Sequence, residues 1–297
     1  MLERGLTSLS PMRLLITADL HYNHARSKSL AEDLIRSMNA AGGDGVLVVG
    51  DTAASDGEDL ESCLSRFEVP GPRLFLCGNH ELWTRGEDSY RLFTEDLPRR
   101  VRGLGWQWLE TEPYVARGFA IAGTVGWYDY TFASRQLMIP RRFYEAKISP
   151  GAAEYFKRSD LLEGGDVSPE AAAIVARWND GKFVKLGRSD KEFSDECVAR
   201  LDENLRRVSG LPEIVVATHH IPYRELLPPT RYNALEFVKA YLGSERLGEV
   251  IGRHANVRRV FCGHSHFASR ARIGDVEAVN LGSSYRAKTF EVVELPD

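Results

Sequence analysis

The chain has 297 residues, of which 43% are hydrophobic and 27% are charged, a composition typical of a soluble globular protein with a sizeable core. Its formal net charge of −4 argues against a dedicated nucleic-acid or membrane-surface binder, but it leaves room for a nucleotide held locally. The four cysteines have neither metal-type nor disulfide-type spacing, so nothing indicates an oxidising compartment.

The N-terminal segment 1–11 is mixed polar and has no apolar stretch of the secretory type. No apolar run approaches the length that spans a bilayer. We therefore expect a cytoplasmic protein that does not interact with membranes. We expect residues 1–11 to be a disordered extension and residues 12–297 to form a single domain.

Apolar runs rich in β-forming residues alternate with amphipathic stretches in the first third of the chain. They predict strands at 13–18, 45–49 and 73–77, separated by helices at 28–41 and 58–67. This order predicts βαβ units and a parallel sheet. Open sheets of this kind bind their ligands at the carboxyl ends of the strands.

Further strands are expected at 106–109, 114–124, 213–218 and 258–262, with helices at 192–208 and 234–251. Short runs at 268–273, 276–280 and 289–292 predict a terminal antiparallel meander. Residues 128–190 fit no strand pattern, and we predict a helical insertion that is either a lid or an ordinary packed subregion. The predicted fold class is α/β, with two stacked mixed β-sheets flanked by α-helices in four layers.

Five segments at the ends of predicted strands contain six of the eight histidines. The segments are Asp19-Leu20-His21, Gly50-Asp51, Gly78-Asn79-His80-Glu81, His219-His220 and Gly263-His264-Ser265-His266. The other two histidines, His24 and His254, lie in polar surroundings, and we expect both to be plain surface residues.

The pair His264 and His266 follows an apolar run and a glycine. On an extended backbone alternate side chains point the same way, so the pattern predicts that both imidazoles turn toward one place. Imidazole is the commonest transition-metal ligand in proteins. Taken alone, the motif is equally consistent with a polar turn.

The donor set of the five segments contains nitrogen and oxygen but no thiolate, which suits Mn²⁺, Fe or Zn²⁺. It is too large for one cation, whereas two cations about 3.5–4 Å apart would use all of it. A bridge between two cations requires a carboxylate with two oxygens, and Asp51 lies in the middle of the series. We therefore predict a two-metal site.

The series D-x-H, G-D, G-N-H-E, H and G-H-x-H resembles, in this order, the motifs of the calcineurin-like metallophosphoesterase superfamily, over most of the chain. The resemblance implies two metal ions, with Mn²⁺ expected first and Fe, Zn²⁺ or Ni²⁺ as alternatives. The ligand set that it implies is Asp19, His21 and His266 for the first ion, Asn79, His219 and His264 for the second, and Asp51 as the bridge. At the tandem His219-His220 the family pattern favours His219.

The resemblance also implies a catalytic role for His80, which would contact the phosphoryl group or the leaving oxygen without binding metal. Asp51 would be catalytic through the two ions that it joins, which convert water to hydroxide at neutral pH. In-line attack of this hydroxide would displace the alcohol without a covalent enzyme intermediate. We therefore expect a phosphodiesterase or phosphomonoesterase acting on a small phosphoester, with nucleotides among the candidates.

The segment after Asp51 departs from the family's protein phosphatases, in which D-R-G follows the G-D motif. This chain continues with Thr52 and lacks the arginine, which weakens a phosphoprotein assignment. The partner that orients His80 is left open, with Ser55 and Asp56 as candidates. Glu81 is expected to have a supporting or structural role.

Two alternatives differ in class from a small-molecule phosphoesterase. The first is a nuclease acting on DNA or RNA ends, for which only the cluster Arg135, Arg141 and Arg142 hints at a basic groove. The second is a non-catalytic scaffold of the same fold, in which some of the ligands should have been lost. The oligomeric state is not indicated.

Overall fold

The computed structural model describes residues 11–86 and 88–296. The expected disordered extension over 1–11 lies, apart from Pro11, outside the described residues. Two β-sheets stacked between helical layers form the described part of the chain. Its strands are β1 (Met12–Thr17), β2 (Gly45–Val49), β3 (Arg73–Leu76), β4 (Gln107–Trp108), β5 (Tyr114–Val115), β6 (Phe119–Thr124), β7 (Glu213–Thr218), β8 (Val257–Cys262), β9 (Ser269–Ile273), β10 (Val276–Asn280) and β11 (Phe290–Leu295).

Both sheets are mixed, with a parallel centre. The first has the order β11-β1-β2-β3-β4, in which only β11 runs antiparallel to its neighbour. The second has the order β5-β6-β7-β8-β10-β9, with antiparallel edges at β5 and β9. The predicted two-sheet α/β fold is thereby confirmed.

Successive side chains of a strand point to opposite faces of its sheet, so each sheet contributes apolar side chains to a core on both of its faces. Every residue of β2 is buried, as expected for a central parallel strand covered on both faces. One face of the first sheet packs against the second sheet through Leu14, Ile16, Leu47, Leu76, Val215 and Phe261. The other face packs against helices through Leu15, Val46, Val48 and Phe75.

Helices form the two outer layers. They are α1 (Ala25–Ala41), α2 (Asp59–Leu64), α3 (Ser89–Arg91), α4 (Leu97–Gly103), α5 (Arg141–Ala146), α6 (Pro169–Ala172), α7 (Asp180–Phe183), α8 (Asp190–Arg207), α9 (Asn233–Val238) and α10 (Glu245–Gly252). The long α1 packs on the first sheet through Ile35 and Met38, and the long α8 packs on the second through Leu201 and Leu205. None of the described helices combines the length and hydrophobicity that a membrane span requires.

Three predicted elements were wrong in detail. The run 114–124 is a hairpin of β5 and β6, closed by a hydrogen bond from Ala116 N–H to Phe119 C=O. The predicted helix 234–251 is interrupted at Lys239–Tyr241 by a 3₁₀ turn, and Ser244 caps the new helix α10.

The predicted terminal meander is correct only for its first two runs, because β9 and β10 pair antiparallel but β11 does not join them. Strand β10 pairs parallel with β8, and β11 crosses to the first sheet, where it pairs antiparallel with β1. An alternating pattern identifies a half-buried strand but says nothing about which edge the strand joins.

The region 128–190 consists of α5, α6 and α7 connected by turns. Phe143, Tyr144 and Ile174 from this region belong to the same hydrophobic cluster as α1 and the first sheet. The region is therefore packed on the body of the protein through its own apolar side chains. The single-domain boundary at 12–297 stays a prediction.

A buried carboxyl group, Glu110, connects the ends of strands from the two sheets. Its Oε1 accepts hydrogen bonds from Val125 N–H (2.6 Å), after β6, and from Cys77 Sγ (3.8 Å), after β3. Its Oε2 has no hydrogen-bond partner among the described residues. Burial raises the pKa of Glu110 to about 7.

We predict that Glu110→Gln makes stability less sensitive to pH. Between pH 4.5, the ordinary pKa of this group, and about pH 7, the folded chain holds a proton that the unfolded chain releases. The free energy of unfolding of the wild type therefore falls as pH rises through this window. In urea denaturation, the free energy of unfolding of the variant minus that of the wild type should increase by about 2–3 kcal/mol between pH 5 and pH 8.

The control is Glu112→Gln, which changes an exposed carboxylate in the same loop. Its stability should follow the wild type at both pH values. Equal pH profiles for Glu110→Gln and Glu112→Gln would contradict a buried, protonated Glu110.

Candidate metal centre

The five histidine-containing and aspartate-containing segments meet at one edge of the sandwich. They follow β1, β2 and β3 of the first sheet and β7 and β8 of the second. Because these strands are parallel within each sheet, their carboxyl ends share this edge. The predicted site residues therefore come together at a single place.

Five of these residues have a left-handed backbone, which costs a non-glycine residue about 1–2 kcal/mol. They are Asp19 (φ 54°), His21 (φ 44°), Asp51 (φ 52°), His264 (φ 70°) and His266 (φ 57°). The extended geometry expected for His264 and His266 is therefore wrong. Their imidazoles diverge, His266 toward His21 and His264 toward His219.

Two glycines permit the close approach of these loops. A Cβ on Gly78 would lie 2.2 Å from Asp51 Oδ1, and one on Gly263 would lie 2.5 Å from Asp19 Oδ2. Any larger residue would push these carboxylates out of the site.

The first cluster comprises Asp19, His21, Asp51 and His266, whose donor atoms all lie within 4.8 Å of one another. His21 Nε2 lies 2.9 Å from His266 Nε2 and 3.8 Å from Asp51 Oδ2. His266 Nε2 lies 3.6 Å from Asp19 Oδ1. Donors that surround one transition-metal ion at about 2.0–2.2 Å are themselves about 3–3.5 Å apart, so the cluster suits a cation.

The second cluster comprises Asp51, His219 and His264, again within 4.8 Å. His219 Nε2 lies 3.3 Å from Asp51 Oδ1, 3.1 Å from His264 Nδ1 and 3.3 Å from Asn79 Oδ1. Asp51 thus belongs to both clusters, with Oδ2 facing the first and Oδ1 facing the second. The buried clusters are consistent with a binuclear metal site.

Two imidazoles of the second cluster, and Asn79 beside it, are oriented by hydrogen bonds on their far sides. His219 Nδ1 lies 3.0 Å from Val49 O, and His264 Nε2 lies 3.2 Å from Tyr241 O. Asn79 donates through Nδ2 to Asp180 (2.9 Å), which leaves its Oδ1 turned toward His219. Such outer contacts commonly fix metal ligands in position.

The tandem histidines have different positions. His219 lies beside Asp51, whereas His220 turns its Nδ1 to Val125 O (2.8 Å). Burial lowers the pKa of His220 to about 3, so this imidazole is a neutral part of the core. The geometry thus places His219, and not His220, among the donors.

Burial keeps three of the imidazole donors neutral, the form that binds metal. It lowers the pKa of His21 and His264 well below the ordinary value, and that of His266 to about 4. Burial alone would raise the pKa of Asp51, but His219 and His80 hold it well below its usual range. His219 is the exception: burial would lower its pKa, but Asp51 and Asp19 raise it to about 9, so this imidazole must release a proton before it can bind a metal ion.

Glu81 holds the loop that contains Asp51. Its buried carboxylate accepts four backbone hydrogen bonds, from Asp51 (3.0 Å), Thr52 (2.5 Å), Ala53 (3.2 Å) and Gly78 (2.7 Å). The structure therefore gives this residue the supporting position expected from the sequence.

The expected partners of His80 were wrong. Ser55 donates its hydroxyl hydrogen to Trp83 C=O (3.0 Å), and Asp56 is exposed. His80 instead stacks on Trp83, with ring centroids 3.8 Å apart. Its Nε2 lies 3.8 Å from Asp51 Oδ2, so the imidazole borders the first cluster.

Asp180, in the helical region, was missed by the sequence reasoning. It accepts hydrogen bonds from Trp83 Nε1 (2.6 Å), Asn79 Nδ2 (2.9 Å), Trp178 Nε1 (2.7 Å) and Tyr128 OH (3.1 Å). It thereby positions both Asn79 and the ring on which His80 stacks. The nearby Trp178 was the only local signal, and it does not identify a partner 101 residues away.

His24 was also misjudged, because it is not a plain surface residue. It is half-buried, with its ring centroid 5.9 Å from that of His21, 6.1 Å from that of His80 and 5.1 Å from that of Tyr285. Its position three residues after His21, at the start of α1, was an available signal. The half-buried His254 is remote from the site and lies 3.0 Å from Asp202.

Comparisons with known proteins agree with this geometry. The model of the calcineurin-like phosphoesterase family matches residues 12–268. The chain belongs to the calcineurin-like phosphoesterase family. As a member of this family with buried clusters of aspartate and histidine, the protein is a metal-binding hydrolase.

Solved structures of related fold include two phosphoesterases. One is the phosphopantetheinyl hydrolase of Mycobacterium tuberculosis, with a TM-score of 0.65 and 20% identity over 94% of this chain and 92% of that one. Another is a dimetal phosphatase from Danio rerio, with a TM-score of 0.57 and 15% identity over 97% and 94%. At these identities the likeness shows a common fold. No curated protein gives a significant sequence match.

We predict that Glu81→Gln destabilises the metal-free protein by about 2–4 kcal/mol, because the amide NH₂ would face backbone N–H donors and leave some of them unpaired. Urea denaturation in the presence of a chelator measures the change without any contribution from bound metal. Glu68→Gln, an exposed matched control, should change stability by less than about 0.5 kcal/mol. Equal stabilities of the two variants would refute the supporting role.

Proposed function

We propose that the protein hydrolyses a small phosphomonoester or phosphodiester with two cations joined by Asp51. The observation that carries this proposal is the membership of Asp51 in both clusters, with one carboxylate oxygen facing each. In this proposal Asp19, His21 and His266 complete the first site, and Asn79, His219 and His264 complete the second.

The nitrogen and oxygen donors favour Mn²⁺, with Fe, Zn²⁺ and Ni²⁺ as alternatives. When bound, two such cations supply a hydroxide at neutral pH and neutralise charge on the phosphoryl oxygens. The neutral imidazoles of His21, His264 and His266 and the ionised Asp51 are in the states required to hold them, whereas His219 would release its proton on metal binding. A cytoplasmic location remains an expectation from the sequence.

His80 would act on the substrate and not on the cations. Stacking on Trp83 holds its ring beside Asp51 Oδ2, where the phosphoryl group would lie between the two sites. From there an imidazole N–H can reach a phosphoryl oxygen or the leaving oxygen. Asp180 supports this position through its hydrogen bond from Trp83.

The nuclease alternative finds little support in the described surface. Arg142 pairs with Asp166, and Arg141 pairs with Glu145. Arg135, Arg141 and Arg142 do not line the cavity that contains the clusters. A basic groove leading to the site, which a nuclease would need, is therefore not formed by these arginines.

We predict that Asp51→Asn lowers kcat by about 10³-fold or more, since an amide is a poor bridge between two cations. The assay uses p-nitrophenyl phosphate and bis-p-nitrophenyl phosphate with added Mn²⁺, and bound metal is measured by mass spectrometry. Metal content should fall from two ions per chain to one or none. Prior removal of metal from the wild type should also abolish activity, and Mn²⁺ should restore it.

The control is Asp56→Asn, which makes the same change at an exposed position five residues away. It should retain both activity and metal. Wild-type rates in Asp51→Asn, or wild-type protein that turns over neither ester with any divalent metal, would defeat the proposal.

We predict that His80→Ala lowers kcat by about 10²–10⁴-fold while two metal ions stay bound. If the imidazole donates a proton to the leaving oxygen, the loss should be larger for phenyl phosphate than for p-nitrophenyl phosphate, whose leaving group needs no proton. An equal loss would assign His80 to the phosphoryl oxygens. Loss of metal together with activity would instead show that His80 is a ligand. The control His254→Ala should keep wild-type rates.

A further inference from the structure

A cavity of about 440 Å³ opens onto the clusters, with Asn79, His80 and His264 in its lining. A single phosphoryl group fills only a small part of such a volume, since one water occupies about 30 Å³ in the liquid. The remaining space can accept the rest of a substrate. The residues that line the cavity therefore indicate which leaving groups it can bind.

The wall nearest the clusters is aromatic. Trp83 stacks on His80, with ring centroids 3.8 Å apart. Trp178 stacks on Tyr241 and meets His264 edge-on at 5.6 Å. The apolar lining thus begins directly beside the proposed ligands and the proposed catalytic residue.

The wall continues along α9 and the turn after it, with Leu235, Val238 and Leu242. Leu235 is 52% exposed, so this part of the apolar wall is open to solvent. An apolar group in the cavity would cover this surface and would be favoured by its burial.

The charges of the lining are unequal. Asp51, which belongs to the clusters, is its only carboxylate, whereas Arg177 and Lys239 are both cationic. Lys239 pairs with Glu236 at 2.7 Å. Within 11–86 and 88–296, Arg177 makes no ion pair, and its guanidinium lies over the ring of Phe156 at 4.6 Å. It is thus free to meet an anion.

We propose that the substrate is a phosphoester whose leaving group combines an apolar segment with a second anionic group. The apolar segment lies along Trp83, Trp178 and Leu235, and the anion meets Arg177. This inference rests on the proposed phosphoesterase function and names the class of compound on which that function acts.

The test uses non-hydrolysable phosphonates as competitors of whichever p-nitrophenyl ester the Mn²⁺-loaded enzyme hydrolyses. Octylphosphonate should have a Ki at least about tenfold lower than that of ethylphosphonate. Burial of only two of its additional methylenes would lower the Ki by about this factor. The ω-carboxylate analogue, 8-carboxyoctylphosphonate, should bind about three- to tenfold more tightly again.

Two variants assign the two features to the cavity. Leu235→Ser should raise the Ki of octylphosphonate about three- to tenfold and leave that of ethylphosphonate unchanged. Its control is Val175→Ser, at a similarly exposed aliphatic residue outside the cavity lining. Arg177→Ala should remove the advantage of the carboxylate and leave the Ki of octylphosphonate unchanged. The exposed Arg135→Ala should preserve both the advantage of the carboxylate and the Ki of octylphosphonate.

Equal Ki values for ethylphosphonate and octylphosphonate, with the nitrophenyl ester still turned over, would overturn the apolar part. A carboxylate advantage that is absent in the wild type, or that survives Arg177→Ala, would overturn the anionic part. Failure to hydrolyse any nitrophenyl ester would instead count against the proposed function, so the two failures are distinguishable.

Discussion

The shared carboxylate of Asp51 is the constraint on which the rest of the site depends. Its two oxygens face different clusters, so a small rotation of this side chain would detach one cluster from the other. The backbone prevents this rotation. Asp51 N–H donates to Glu81, and Asp51 Oδ1 accepts the backbone N–H of His80 at 2.9 Å. The G-N-H-E motif therefore has three roles. Asn79 supplies a donor atom, His80 places its ring beside the clusters, and Glu81 anchors the loop that contains Asp51.

This arrangement is costly without a cation. Five residues have left-handed backbones, and two aspartates are buried among imidazoles. Burial raises the pKa of Asp19 to about 7 and lowers the pKa of several histidines, which shows how poorly the site accommodates charge by itself. Divalent cations would offset that cost, because their positive charge would compensate the negative charge of the buried carboxylates. The strain and the burial thus both favour metal binding.

The helical region 128–190 contributes more than coverage of the sheet. Asp180 connects Trp83, Asn79, Trp178 and Tyr128 through one buried carboxylate. One residue thereby links the orientation of a proposed ligand, the stacking platform of His80 and the aromatic wall of the cavity. This explains why the region is packed into the core through Phe143 and Ile174, because a mobile segment could not hold these groups in register.

The sequence by itself determined the two-sheet α/β fold and the residues that converge, because strand periodicity and polar strand ends are local features. Parallel strands bring such ends to one edge whatever the details of the loops. Only the tertiary structure decided the positions of Asp180, His24 and Trp83 around His80, since no spacing connects them. It also decided that β11 joins β1 and that His264 and His266 diverge. Those outcomes depend on contacts between distant segments and on left-handed backbone conformations, which a pattern of residue types does not encode.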